Sequence, residues 1–188
     1  MNIWLIGAGS MAREYAKVLN ALDSPFEVIG RGINSVAEFY EITGFKAKGG
    51  GISQALKEQN APEAAIVAVG VKQLAEVSTA LIKSGTRRIL LEKPGGLNFD
   101  QIRTLNDVAD EYGASVWLAY NRRFYASTLK AEKMIAEDKG ALSVHFEFTE
   151  WSHKIRDVYK ETGVKEHWFL GNSTHVVDLV FHLCGVPK

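Results

Sequence analysis

Short apolar runs alternate along this chain with longer stretches in which apolar residues recur every three or four positions, a rhythm that predicts strands joined by helices. The first run covers 2–6, and a helical stretch follows over about 10–22. Residues 26–29 read as a second strand, and 35–43 as a helix stopped by Gly44. Beyond Gly49-Gly50-Gly51, a flexible tract, a short helix from Ser53 leads to a strand over 64–69. A helix to about Lys83, a strand over 88–91, a helix over 99–112 ended by Gly113 and a strand over 115–119 complete the series. Strands that alternate with helices in this way predict an α/β domain, a doubly wound parallel sheet with helices on both faces, over residues 1–120.

Past Asn121 the pattern changes. Residues 126–137 have helical spacing, 143–148 alternate as a half-buried strand does, and a polar loop containing aromatic residues leads to a last helix over 173–183. A second, α+β domain is therefore expected to begin at 121, and 121–188 to be only the start of it, because a single strand needs partners. The expectation is of a fragment, a naturally short chain, or a domain completed by another chain. An incomplete sheet exposes an edge that invites association, so a homo-oligomer formed through the second domain is expected.

Composition narrows the partners. The chain is 46% hydrophobic and 23% charged, with Lys+Arg and Asp+Glu both at 22. Nucleic acid and anionic membrane surfaces call for clustered positive charge, which this balance does not supply. No apolar run reaches the roughly 18 residues of a membrane span, and the single cysteine, Cys184, fits a reducing compartment and a packing role. A cytoplasmic protein is expected. Cys184 and the nearby His182 would make only two metal ligands, so no metal site is expected.

The chemistry starts at Gly7-Ala8-Gly9-Ser10-Met11-Ala12, which follows the first strand and opens the first helix. This is the G-x-G-x-x-G/A pattern in its strand-to-helix context, and it makes the domain Rossmann-type. Gly7 permits the tight turn, Gly9 lets a pyrophosphate approach, and Ala12 lets helix pack on strand. The N–H groups at Ser10 and Met11 and the positive helix end then face the phosphates. The second strand ends in Val28-Ile29-Gly30-Arg31, with no carboxylate after Glu27 until Glu38. An acidic residue there would select NAD, whereas an arginine suits the 2′-phosphate of NADP. Arg31 offers that phosphate a bidentate fork, Ser35 can add a hydroxyl, and NADP(H) is the expected cofactor with NAD(H) as the second possibility. A plain strand-to-helix turn, a solvated arginine, and binding of FAD or S-adenosylmethionine are the competing readings of these residues.

Glu92-Lys93-Pro94 follows the fourth of the predicted strands, at the sheet edge where ligands of open α/β folds bind. Asn121-Arg122-Arg123-Phe124 follows the fifth, and His175-Val176-Val177-Asp178 is followed by Leu183 and Gly185. With the Gly7 to Ala12 loop, these motifs resemble in order and spacing those of the Gfo/Idh/MocA oxidoreductases, the family of glucose-fructose oxidoreductase and inositol dehydrogenase. The resemblance implies that Lys93 lies beside the nicotinamide and the substrate hydroxyl, on a turn fixed by Glu92 and Pro94. There a lysine can donate to the developing alkoxide or help to remove its proton. It implies too that His175 acts on the same hydroxyl as general acid or base, for which an ordinary pKa near neutrality suits it. Without the family, Lys93 reads as a surface lysine and His175 as a packed core histidine.

The register of Asn172, His175 and Asp178 puts all three on one helical face at i, i+3 and i+6. Together with Arg122 and Trp151 they are the candidates for substrate binding, and His153, Lys154 and Trp168 are of the same kind. Arg123 reads equally as a salt bridge at the domain junction, His182 as packing and His145 as part of a strand. Two positions depart from the family. Gly171 stands where many members place an aspartate four residues before the histidine, and Leu74 stands about where many place another histidine. The expected activity is NADP-dependent hydride transfer between nicotinamide and a sugar, polyol or nucleotide-linked sugar. The alternative is a nucleotide-binding, catalytically weak module with a regulatory or structural role.

Overall fold

Four consecutive apolar residues form β1 (Ile3–Ile6), and all four are buried. A strand of this kind is stable only within a sheet covered on both faces, which is where it lies. The computed structural model describes residues 2–159 and 161–186, and the chain divides into two compact units, 1–119 and 120–188. After β1 the first unit runs through α1 (Ser10–Ala21), β2 (Phe26–Ile29), α2 (Ile33–Thr43), β3 (Ala47–Lys48), α3 (Gly51–Glu58) and β4 (Ala64–Val67). It continues with α4 (Leu74–Lys83), β5 (Arg88–Leu91), α5 (Phe99–Glu111) and β6 (Ser115–Leu118).

The six strands lie in the order β3-β2-β1-β4-β5-β6, and every neighbouring pair is parallel. The order reverses between β1 and β4, which is the switch point where open α/β sheets bind ligands. Alternation along β1 sends Trp4 and Ile6 into one core with Ile29, Val67 and Leu91 and Leu5 into the other with Val28 and Phe39. Ala12 and Ala16 of α1 are fully buried in that second core, and their small size brings the helix close to the sheet.

Two details differ from the expected pattern. The two-residue strand β3 is too short to show a period. Gly50 and Gly51 are not a flexible tether, since the Gly50 N–H donates to the Arg31 carbonyl at 3.3 Å, the Gly51 N–H donates to the Gly30 carbonyl at 2.8 Å, and α3 starts at Gly51.

Among its described residues the second unit is helical. A 3₁₀ turn (Asn121–Phe124) precedes α6 (Ala126–Glu137) and α7 (Ser152–Asp157), and a π-helical turn (Phe169–Ser173) leads into α8 (Thr174–Cys184). Residues 143–148 form no strand. Their alternation would make a sheet face only with a neighbouring strand to complete the ladder, and no strand lies among the described residues of this unit. His145 is accordingly exposed rather than held in a strand. No helix among the described residues is long and apolar enough to cross a membrane.

Phe39 is fully buried between α2 and the sheet. Phe39→Ala is expected to lower the unfolding free energy by about 3–5 kcal/mol, measured by urea denaturation, and a loss under about 1 kcal/mol would mean that this core collapses around the cavity.

Candidate cofactor and active site

The first residue after each central strand still belongs to the ladder. Gly7 N–H donates to the Ile29 carbonyl at 2.9 Å, Gly30 to Lys48 at 2.8 Å, Ala68 to Ile6 at 2.8 Å and Glu92 to Val67 at 3.0 Å. Four turns at the carboxyl edge of the sheet are thereby held in register, and the candidate residues of the first unit project from three of them.

Gly7 has φ +123°, and a Cβ on it would lie 2.2 Å from the Ala68 carbonyl oxygen, so no other residue fits. Gly9 caps the N-terminus of α1 without a side-chain hydrogen bond, and a Cβ placed there would meet nothing within 4 Å. Open space beside the uncapped first-turn N–H groups of Ser10 and Met11 fits a dinucleotide's pyrophosphate. The same feature gives α1 a cradle at its start and a packed alanine face behind it.

Arg31 is exposed just beyond β2. The side chain of Gln73, in the 3₁₀ turn Val71–Gln73, lies against it and, with its oxygen toward the guanidinium, accepts from Nη1 at 3.0 Å and Nη2 at 3.3 Å. The Ser35 hydroxyl donates to the Gly32 carbonyl at 2.9 Å and so is turned back on its own chain. Both carboxylates that flank Arg31 in sequence have cationic partners. Glu27 accepts from Lys48 at 2.6 Å, a bond that holds its pKa below the usual carboxylate range, and Glu38 pairs with Arg13 at 2.8 Å. No acidic group of this turn is left to repel a phosphate at Arg31.

Glu92 and Lys93 are half-buried and are followed by the buried Pro94, Gly95 and Gly96. The Gly95 N–H closes the turn on the Glu92 carbonyl at 3.1 Å. The Tyr15 hydroxyl, reaching from α1, donates to Glu92 Oε1 at 2.6 Å. Burial, then the hydrogen bond to Glu92 and its charge, push the Tyr15 pKa well above the ordinary tyrosine value. No motif marks Tyr15, and an aromatic residue on a core-facing helix reads as packing. Leu74, where the family comparison anticipated a histidine, is fully buried at the start of α4.

In the second unit His175 lies in the first turn of α8, with the edge of its ring against Tyr120 at a centroid distance of 5.7 Å. Arg123 stacks over Tyr120 at 5.8 Å and grips Asp178 with two bonds, Nε to Oδ2 at 2.8 Å and Nη2 to Oδ1. This fork raises the Arg123 pKa, and the Asp178 side chain is only 12% exposed. Asp178 thus has Arg123 as its partner, with little of its side chain exposed. Both partners belong to the second unit, so the pair is no junction bridge.

Asn172 falls in the π-helical turn before α8, so it does not share an α-helical face with His175 and Asp178. Its amide donates to Glu150 at 2.6 Å, and Glu150 also accepts from Trp168 Nε1 at 2.8 Å and Ser173 Oγ at 3.1 Å. Glu150 and Tyr120, the hubs of these two clusters, carry no sequence signal of their own. Trp151 is exposed and stacks on His153. Arg122 is half-buried, and its carbonyl accepts from Thr128 Oγ1 at 2.7 Å. His182 bonds Glu132 at 2.6 Å, and Cys184 is half-buried at the end of α8.

Residues 1–120 match the sequence profile of the Gfo/Idh/MocA family, described as an oxidoreductase family with an NAD-binding Rossmann fold. The chain belongs to that family. It is 26% identical over 118 residues to the scyllo-inositol 2-dehydrogenase (NADP(+)) IolW of Bacillus subtilis (strain 168), a match that takes in 60% of this chain and 32% of that protein. Among solved folds, levoglucosan dehydrogenase in complex with NADH and levoglucosan superposes with a TM-score of 0.78 at 19% identity, over 98% of this chain and 54% of that one. The WlbA dehydrogenase of Bordetella pertussis, in complex with NADH and UDP-GlcNAcA, gives 0.77 at 17% identity, over 98% and 59%. The chain thus spans about a third of the curated relative and a little over half of these two solved chains.

The raised Tyr15 pKa has a stability consequence with a definite sign. The Tyr15–Glu92 bond contributes fully below the ordinary tyrosine pKa of about 10 and is lost as pH rises above it toward the higher folded value. Tyr15→Phe is expected to cost about 1.5 kcal/mol near pH 8 and to flatten the alkaline fall in stability. Denaturation of both proteins between about pH 8 and 11 measures this, and parallel curves would exclude Tyr15 as the titrating group.

Proposed function

We propose that the chain is an NADP(H)-dependent oxidoreductase acting on a sugar, polyol or nucleotide-linked sugar, with NAD(H) as a weaker cofactor. The observation that carries the reading is the composition of one sheet edge. The open, uncapped start of α1 at Gly9, Arg31 with its neighbouring carboxylates already paired, and the braced Glu92-Lys93 turn all stand at the ends of β1, β2 and β5. The relatives support it in kind. IolW is named for NADP(+) and an inositol, and the levoglucosan and WlbA complexes hold NADH with a sugar or a nucleotide sugar.

Bound at this edge, a nicotinamide supplies the hydride chemistry. The residues of the chain bind and orient. Gly7, Gly9 and the N–H groups of Ser10 and Met11 take the pyrophosphate, and Arg31, assisted by Ser35 if its hydroxyl turns outward, takes the 2′-phosphate. Lys93, on the turn held by Glu92, donates N–H to the oxygen of the reacting carbon, and His175 gives or receives its proton. Arg122, Trp151 and Asn172 are proposed to meet the substrate, Trp151 by stacking its exposed ring on a sugar face. Leu142, Val144 and Phe146 expose apolar surface in the second unit, which supports homo-oligomer formation through it. We further propose a cytoplasmic setting, with neither nucleic acid nor membrane as partner.

A second reading, a nucleotide-binding module with weak or no catalysis, is favoured by the carboxylates of the second unit. Gly171 provides none, and Asp178 and Glu150 are both bonded to neighbours. Turnover of a panel of sugars and polyols with NADP(H) separates the two, since the module binds without oxidising.

NADPH is expected to bind about ten- to hundredfold more tightly than NADH, with Arg31→Ala abolishing the preference and sparing NADH. Fluorescence titration measures both affinities, and equal values for the unmutated protein would sink the NADP assignment. Lys93→Met and His175→Ala are each expected to lower turnover about a hundredfold or more while cofactor affinity stays within a few fold. Steady-state kinetics beside the same titrations provide the check, and activity that survives both substitutions would assign the proton to another residue.

A further inference from the structure

We infer that Gln73 is a positioning residue for cofactor choice, holding the Arg31 guanidinium by its end so that its side edge faces the 2′-phosphate of NADP(H). The inference rests on the role proposed above for Arg31 and adds a residue that no motif marks.

An arginine on an exposed turn ordinarily samples many rotamers, and ordering it on a phosphate offsets part of what the contact contributes. Arg31 is restrained at three levels. Its carbonyl accepts from the Gly50 N–H at 3.3 Å, and the Gly30 carbonyl before it accepts from Gly51 at 2.8 Å. Its aliphatic stem passes over Gly51, where an added Cβ would lie 3.6 Å from Arg31 Cγ and 3.7 Å from Cβ. Its head meets the Gln73 side chain, whose amide oxygen, turned toward the guanidinium, accepts from Nη1 at 3.0 Å and Nη2 at 3.3 Å.

Gln73 is itself well seated. Its N–H donates to the Gly70 carbonyl at 2.8 Å, and the next residue, Leu74, is fully buried. The anchor therefore comes from the turn that follows β4, next to β1 at the switch point, and not from the arginine's own turn.

The choice of an amide follows from the geometry of the fork. One oxygen between Nη1 and Nη2 occupies the end of the guanidinium and does not use Nε, whose N–H with the adjacent Nη–H forms the side edge that matches a phosphate bidentately. A neutral oxygen orients this cation without cancelling its charge. A carboxylate at the same place would orient it equally and oppose the phosphate, and an apolar side chain would do neither.

The experiment titrates NADPH and NADH by fluorescence into the full chain and its Gln73→Ala, Gln73→Glu, Arg31→Ala and double Gln73→Ala/Arg31→Ala variants. Gln73→Ala is expected to weaken NADPH about three- to tenfold and leave NADH unchanged, and Gln73→Glu to weaken NADPH further. In the Arg31→Ala background Gln73→Ala should have no effect, because the two residues act as one unit. If the unmutated chain binds both cofactors equally, the Arg31 reading and this inference fall together. If a preference exists and depends on Arg31 but is untouched by Gln73→Ala, the inference alone is overturned. An effect of Gln73→Ala that persists without Arg31, or that weakens NADH as much as NADPH, likewise overturns it, because Gln73 would then act on the cofactor or the fold directly.

Discussion

A parallel sheet buried on both faces must pair its backbone groups internally, and here that pairing runs one residue beyond the strands at the carboxyl edge. The N–H groups of Gly7, Gly30, Ala68 and Glu92 all donate to the neighbouring strand. The glycine loop, the Arg31 turn and the Glu92-Lys93 turn are thus continuations of the sheet and not loops laid over it. Their register is inherited from the core, so rigidity at the site is a by-product of the interaction that stabilises the fold.

Helix α1 adds a second tie. Its start offers N–H groups and open space at Gly9, its inner face packs through Ala12 and Ala16, and its Tyr15 reaches Glu92 on the turn after β5. One rigid element therefore connects the proposed phosphate cradle with the turn that carries Lys93. The charge pattern around Arg31 has the same economy. Glu27 and Glu38 are drawn off by Lys48 and Arg13, and Gln73, which meets the guanidinium head, is neutral.

The second unit is organised by polar contacts in place of a sheet. Arg123 joins the Asn121–Phe124 turn to α8 through Asp178, and Glu150 collects Trp168, Asn172 and Ser173 around the π-helical turn. Both carboxylates serve to hold helical segments of this unit in place.

The strands and helices of the first unit were readable because their signals are local. The run of Ile3–Ile6, the alanines of α1 and the glycines at 7 and 9 each declare themselves within one strand-turn-helix. The strand read over 64–69 ends at Val67, and Ala68 adds one more ladder bond through its N–H to the Ile6 carbonyl. The alternation at 143–148 was misleading, because period two describes a face and a strand also needs a partner. Asp178, read as a substrate ligand from its place after His175, was claimed by Arg123, 55 positions earlier in the chain. Tyr15 and Glu92 stand 77 positions apart, and neither their pairing nor that of Arg31 with Gln73 leaves a mark on sequence spacing. Periodicity and turn chemistry depend on neighbours a few residues away, and from them came five of the six strands, the helices between them and the glycine loop. The partner of each polar side chain depends on which distant segments the folded sheet brings together, and only the tertiary structure could decide it.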